Sequence, residues 1–301
     1  MKMMQNDLEA YIGERRSAVD ETLQKIFPPA SGHAYEIVKA MEYSIFAGGK
    51  RLRPILCIAA AETVGGHFSD VMPVACALEL IHTYSLIHDD LPAMDDDNLR
   101  RGKPTNHNVF GEALALLAGD GLLTEAFHLM ASSGERPQAD ARLLLRVIST
   151  VAEAAGYAGM VGGQVVDMYW QSKQADLDAV QFIHRHKTAA LIRASVASGA
   201  ILAGATERQI RAISLYGEKT GLAFQISDDI LDLESDSSTL GKQVGADIKL
   251  GKATYPAVIG IEQSKRTQSK LIEDAVAALE AFDQRADPLR AIARYVIERK
   301  K

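Results

Sequence analysis

Apolar residues recur at helical spacing along nearly the whole chain, and strict alternation is sustained nowhere beyond a few residues. Leu8, Ile12, Val19, Leu23 and Ile26 mark a first amphipathic helix, opened by Asn6 with Glu9 and stopped by Pro28-Pro29. A second runs from about His33 to Ala47 and ends at Gly48-Gly49. Pro54 starts a third, through Ile55, Ile58 and Ala61, that stops near Gly65-Gly66. The fourth is apolar and free of glycine from Pro73 to Asp90. Pro73 suits its first position, and Pro92 forces Leu91 out of helical geometry. Asn98 to His107 reads as a basic turn, and a helix is expected from about Gly111 to Ala131. Ser132 to Ala139 reads as a polar loop, and Asp178 opens a helix whose small residues Ala194, Ala197, Gly199 and Ala200 allow close packing. Thr206 and Gln209 form a capping box for a helix that reaches Asp232. Ser235 to Thr254, rich in Gly, Ser and Lys, reads as the mobile segment, and Pro256 restarts helix. With no linker and no low-complexity tract, the pattern predicts one all-α domain over residues 1–301.

Composition narrows this only modestly. Hydrophobic residues make up 47% and charged residues 24%, as in an ordinary soluble globular protein, and a net charge of −6 argues against general nucleic-acid binding. Cys57 and Cys76 each fall inside an apolar helical pattern. They read as core residues rather than a bridge, which fits a reducing compartment. The N-terminus lacks the apolar stretch of a signal peptide and no apolar run looks long enough to span a bilayer, so a cytoplasmic location is expected.

Chemistry gathers where the fourth helix ends, in Ser85-Leu-Ile-His-Asp-Asp-Leu-Pro-Ala-Met-Asp-Asp-Asp97. Negative side chains at a helix C-terminus oppose its dipole, and carboxylates about 4 Å apart repel by about 1 kcal/mol even in bulk water. A cation must offset this, and grouped hard oxygens suit Mg²⁺ shared with a phosphate. A solvated acidic loop is the plain alternative. The motif has an echo: a second apolar helix runs into Asp228-Asp-Ile-Leu-Asp232, where Asp228 and Asp232 share a face. Two such clusters across one cavity would hold several Mg²⁺ ions and grip a diphosphate from both sides.

Cations form a separate set. Gly48-Gly-Lys50-Arg51-Leu-Arg53-Pro54 carries three between a helix end and a helix start, which also suits the negative end of a helix dipole. It is not a nucleotide-type phosphate loop. His82 lies two turns before Asp89 on nearly the same stripe, about 10 Å away. Alone, it reads equally as a core histidine. Arg100 and Arg101 follow the first acidic cluster, and Lys187, Lys242 and Lys252 are ambiguous singly. Jointly, carboxylates that bind anions only through a metal and cations that bind them directly equip the chain for two diphosphates side by side.

With these residues in hand, the sequence resembles the trans-isoprenyl diphosphate synthases, most nearly the bacterial farnesyl diphosphate synthases. The resemblance rests on Gly48-Gly-Lys-Arg-Leu-Arg-Pro54, on His82 through Asp95 with Arg100-Arg-Gly-Lys-Pro-Thr, and on Gly163-Gln164 with Asp167. Lys187-Thr188, Phe224-Gln225 through Asp232, and Gly241-Lys242 complete it. It implies an isoprenoid-synthase-type helical bundle around a central cavity, a homodimer and about three Mg²⁺ ions. Asp89, Asp95 and Asp228 would be the main metal ligands, supported by Asp90, Asp229 and Asp232, with Asp167 a further candidate. Lys50, Arg53, His82 and Arg101 would hold isopentenyl diphosphate. Arg100, Lys187, Gln225, Lys242 and Lys252 would contact the allylic diphosphate, and Thr188 would face the cation formed from it. Tyr84, with Ser85 beside it, would floor the tail pocket and set a fifteen-carbon product, and Arg299-Lys-Lys301 would help seal the site. Rival readings are a geranylgeranyl diphosphate synthase, a terpene cyclase, and a non-catalytic diphosphate-binding subunit.

Overall fold

A helix apolar on every side must be surrounded, and Phe68–Asp89 (α4) is the centre around which the others pack. In the computed structural model, which describes residues 4–27, 32–135, 139–234 and 251–298, α4 lies against Leu52–Thr63 (α3), Glu112–Ser132 (α6) and Ala190–Leu202 (α10). Gln5–Ile26 (α1), Tyr35–Ile45 (α2), Asn106–Phe110 (α5), Ala141–Ala155 (α7), Met160–Trp170 (α8), Leu177–Ile183 (α9) and Glu207–Glu234 (α11) complete the bundle. Helices Tyr255–Ile259, Ile261–Ala278 and Asp287–Glu298 close it against α11. Among the described residues the strands are confined to a two-stranded hairpin, Leu99–Arg100 against Lys103–Pro104. The all-α class expected from the pattern is the observed one.

One main core unites α1 to α4, α6, α7, α10, α11 and the two long C-terminal helices. Leu78, Leu80 and Ile81 of α4 and Leu122 of α6 are fully buried, each side chain contributing about 1.5–3 kcal/mol on leaving water. The small residues of α10 act as predicted: a Cβ at Gly199 would stand 1.9 Å from the Cys57 carbonyl oxygen, so the α3–α10 approach depends on glycine there. Cys57 and Cys76 are buried free thiols. A satellite cluster of Val180, Ile183, Ile226, Ile230, Ala253 and Tyr255 lies beneath the second acidic motif.

Several element starts differ from the sequence pattern. Helix α4 begins at Phe68, capped by His67, so Pro73 sits inside it; only the Ser69 carbonyl loses its usual partner, since proline has no N–H to offer. The ninth helix is capped by Asp176, which accepts from Ala179 N at 2.8 Å, rather than opened by Asp178. At α1 the N-cap is Met4, two residues before the expected Asn6, and the Asp7 carboxylate accepts from Met4 N at 3.2 Å. The Thr206–Gln209 box forms as predicted, with Thr206 N donating to Gln209 Oε1 at 2.9 Å. Pro28-Pro29, most of the Ser235–Thr254 segment with Lys242, and Arg299-Lys-Lys301 lie outside the described residues.

The expectation that no apolar stretch is long enough to span a bilayer is corrected. By length and composition three helical stretches qualify: Phe68–Asp89, Glu112–Glu135 and Ala141–Trp170. The first is 72% buried, so its apolar surface serves the protein core. The third is interrupted between α7 and α8 by Gly156 and Gly159.

Candidate active site

The last turn of α4 delivers Asp89, and the sixth turn of α11 delivers Asp228, to one cavity of about 750 Å³. Arg53, His82, Tyr84, Ser85, Arg100, Arg101, Lys187, Thr188 and Gln225 line the same space. Its remaining wall is apolar, built from Leu116, Met160, Val161, Val165, Met168 and Phe224. The sequence thus places a charged end and an oily end in a single hollow, the shape needed by an amphiphile with an anionic head.

The acidic residues divide by partner. Asp89 is half-buried, and desolvation raises its carboxyl above the usual range; Lys187, Arg100 and Lys252 oppose that shift while Asp95 adds to it. The loop after α4 folds back, with Asp95 N donating to Asp89 O at 2.9 Å, and the Asp95 carboxylate accepts from Lys252 Nζ at 2.9 Å. Asp90 turns away and takes the Arg100 guanidinium, Nε at 2.9 Å and Nη2 closer still; Arg100 also reaches Asp97 at 3.0 Å. Asp167 on α8 accepts from Lys187 Nζ at 2.7 Å. Asp229 and Asp232 line a neighbouring pocket of about 390 Å³ with Lys252 and Thr254. The Asp229 carboxylate accepts from Tyr255 N at 2.9 Å and from Gln225 Nε2 at 3.2 Å, with His184 Nε2 3.3 Å away.

The basic residues divide as well. Arg51, at a left-handed φ of 51°, turns inward to Asp20 Oδ1 and Glu79 Oε1, each at 2.8 Å, and to the Ile45 carbonyl at 2.7 Å. It staples α1, α2, α3 and α4 together. Two residues on, Arg53 points into the cavity; burial brings its pKa down to about 10, against the pull of Glu79 and Asp228, and its Nε has no partner. His82 is pushed well below 6.5 by burial, with Arg53, Arg101 and Arg100 adding to the shift, so it is neutral at pH 7. Arg101 donates to the Gly48 carbonyl and packs where a Gly49 side chain would be, which joins the two basic motifs. Lys50 is exposed and is not among the residues lining the cavity.

Lys187 and Thr188 sit in a π-helical stretch, His184–Ala189, between α9 and α10. Such insertions re-aim side chains. A Cβ at Gly163 would stand 2.3 Å from Lys187 N, so α8 lies directly on this stretch. One residue on, Gln164 lines the cavity with both amide atoms buried and without a partner. Sequence reasoning recorded Gly163-Gln164 only as part of a motif; the signal for its role was a lone amide among apolar α8 residues. His184 and Tyr255, which hold Asp229, were missed altogether.

Comparison with known proteins adds an independent line. The family described as polyprenyl synthetase matches residues 35–293. A geranylgeranyl diphosphate synthase of Cyanophora paradoxa is 47% identical over 302 residues, covering 99% of this chain and 99% of that protein. A farnesyl diphosphate synthase of Geobacillus stearothermophilus is 46% identical over 298 residues, again covering 99% of each. Among solved structures, a geranyltransferase from Helicobacter pylori complexed with magnesium and isoprenyl diphosphate superposes with a TM-score of 0.86 at 28% identity, covering 96% of this chain and 97% of that one.

Proposed function

The chain belongs to the polyprenyl synthetase family, and from that premise we propose that it joins isopentenyl diphosphate first to dimethylallyl diphosphate and then to geranyl diphosphate, releasing (2E,6E)-farnesyl diphosphate. It is a prenyltransferase; the fifteen-carbon product is our reading of the tail pocket. The observation that carries the proposal is the meeting of Asp89 and Asp228 with Arg53, His82, Arg100 and Arg101 around one cavity. A cyclase needs no second, purely cationic diphosphate site, and a non-catalytic subunit needs no pair of acidic motifs.

Mg²⁺ fits the donor set. Among the described residues no three His, Cys, Asp or Glu stand close enough to hold an ion unaided. Mg²⁺ is commonly held by one or two carboxylates, with waters and substrate phosphates filling its other positions. Asp89 and Asp228, aided by Asp95, supply that kind of partial site. Magnesium is the metal named in the Helicobacter structure, which supports Mg²⁺ here, and about three ions are our proposal. When bound, they would neutralise charge growing on the departing diphosphate oxygens.

The chain's own groups do the rest. Arg53, Arg101, Lys50 and neutral His82 hold isopentenyl diphosphate. Arg100, Lys187, Lys242 and Lys252 hold the allylic diphosphate, with cationic donors aimed where negative charge develops, and Gln225 lies beside them with its amide engaged by Thr188 and Asp229. Breaking the allylic C–O bond leaves a carbocation, which the Thr188 hydroxyl oxygen and the Lys187 carbonyl face with the negative ends of their dipoles. The apolar wall of α8 keeps water away from that cation and keeps the isopentenyl double bond beside it. The new C–C bond moves the cation onto the isopentenyl unit, and loss of a proton to the released diphosphate completes the step.

Tyr84 is buried and lines the cavity five residues before Asp89 on α4, its ring edge-on to His88 with centroids 5.6 Å apart. A ring there blocks the growing tail. A geranylgeranyl product is the second reading, favoured by the 47% identical relative of that name. Exposed apolar Leu116, Leu117, Val161, Val165 and Tyr169 on α6 and α8 support a homodimer. Free buried thiols support a cytoplasmic location, and the negative net charge supports a role without nucleic acid. Purified protein with Mg²⁺, labelled isopentenyl diphosphate and dimethylallyl diphosphate should yield a fifteen-carbon diphosphate on chromatography. Failure to join the two substrates would overturn the proposal.

A further inference from the structure

The hydrogen bonds around Asp229 fix more than a carboxylate. An ionised carboxylate only accepts, so Gln225 must turn its amide nitrogen toward Asp229 Oδ1, at 3.2 Å. The amide oxygen of Gln225 is thereby aimed the other way, where it accepts from Thr188 Oγ1 at 2.7 Å. Thr188 has a single hydroxyl hydrogen, and this bond uses it. What the hydroxyl presents to the cavity is therefore its lone pairs, the end suited to face a cation. The second oxygen of Asp229 is held by Tyr255 N at 2.9 Å with His184 beside it, and the His184 ring lies on the Tyr255 ring, centroids 5.0 Å apart. At 3% exposure Asp229 borders the smaller pocket, while its neighbour Asp228 lines the large one.

We infer that Asp229 is a positioning residue: through Gln225 it sets the direction of the Thr188 hydroxyl dipole toward the allylic cation, and it is not a metal ligand. The inference rests on the prenyl-transfer reading above. Both Asp229 oxygens already accept from the protein, one from a side-chain amide and one from a backbone amide, whereas Asp228 is the member of the pair that lines the large cavity. Without Asp229, Gln225 is free to flip. Thr188 is then free to direct its hydrogen at the departing diphosphate or at the cation, and the dipole no longer opposes the developing positive charge.

Three variants of the full chain, Asp229→Asn, Gln225→Leu and the double variant, test this alongside Asp228→Asn. Each is assayed for kcat, for the Mg²⁺ concentration giving half-maximal rate, and by calorimetry for Mg²⁺-dependent binding of dimethylallyl thiodiphosphate, an analogue that does not ionise. Thermal melts check folding. Asp229→Asn and Gln225→Leu should each lower kcat about 10- to 100-fold. Half-saturation by Mg²⁺ and analogue affinity should stay within about twofold, and the double variant should fall no further than either single one. Asp228→Asn should instead weaken Mg²⁺-dependent analogue binding. A large rise in the Mg²⁺ requirement of Asp229→Asn, with kcat restored by excess metal, would make Asp229 a ligand and end the inference. Multiplying effects in the double variant would end it too. Should Asp229→Asn not fold, Gln225→Leu alone decides: full kcat overturns the inference, and lost kcat with unchanged analogue binding upholds it. Inactivity of the unaltered protein would instead sink the underlying reading, and is told apart by that control.

Discussion

Lys252 holds its ammonium 2.9 Å from the Asp95 carboxylate, tying the residues just before helix Tyr255–Ile259 to the loop after α4. Lys187 and Asp167 repeat the arrangement at 2.7 Å. In both pairs a lysine expected at a diphosphate already lies against a carboxylate, so substrate binding exchanges one negative partner for another. Lys252→Ala removes a charge from the allylic site and leaves the isopentenyl site intact. We expect KM for the allylic diphosphate to rise about tenfold, equivalent to about 1.4 kcal/mol, with KM for isopentenyl diphosphate little changed. Steady-state kinetics with each substrate varied in turn would show it.

Tyr84→Ala opens the cavity below Asp89. The product should lengthen to twenty carbons or beyond, read by chromatography of the dephosphorylated alcohols. An unchanged product would mean that the floor lies elsewhere. Removing a buried ring should also cost about 3–5 kcal/mol in stability, so the assay belongs at moderate temperature.

Arg51→Ala should be a stability variant. It would leave Glu79, at 1% exposure, buried without its cation, for a loss of about 3–5 kcal/mol. Urea denaturation should show the lower midpoint. Arg53→Ala, two residues away, should instead raise KM for isopentenyl diphosphate.

His82 makes stability depend on pH. Its folded pKa lies well below 6.5, through burial and then the nearby Arg53, Arg101 and Arg100, while the unfolded chain titrates near the ordinary value. Below pH 6.5 the unfolded state therefore binds a proton that the folded state refuses. His82 withdraws stability as pH falls from about 6.5 toward the depressed value, at up to about 1.4 kcal/mol per pH unit, and has no effect above that window. His82→Gln should flatten this part of the curve in denaturation experiments between pH 5 and 7.

Chelation of divalent ions should abolish turnover, and added Mg²⁺ should restore it. Asp89→Asn and Asp228→Asn should each lower kcat/KM by on the order of 10² to 10³ even at high Mg²⁺.

The helices, the two acidic motifs and most of the cavity's polar lining were legible in the sequence, because a carboxylate at the end of an apolar helix conflicts with burial unless something binds it. Partnerships formed across the fold were not. Nothing near Asp229 in sequence announces Tyr255 N, and nothing in Lys50-Arg51-Leu-Arg53 says which cation turns inward to Glu79 and which faces substrate. Pro73 misled because proline is tolerated beyond the first position when only one carbonyl loses its partner. The π-helical stretch at His184–Ala189, which packs against α8, leaves no compositional mark in the sequence.

Gly163 has a mechanical consequence. With no space for even a methyl group between it and the backbone of Lys187, α8 and the π-helical stretch His184–Ala189 are packed as one block that carries Gln164, Lys187 and Thr188. A side chain at Gly163 would therefore displace all three of those groups together.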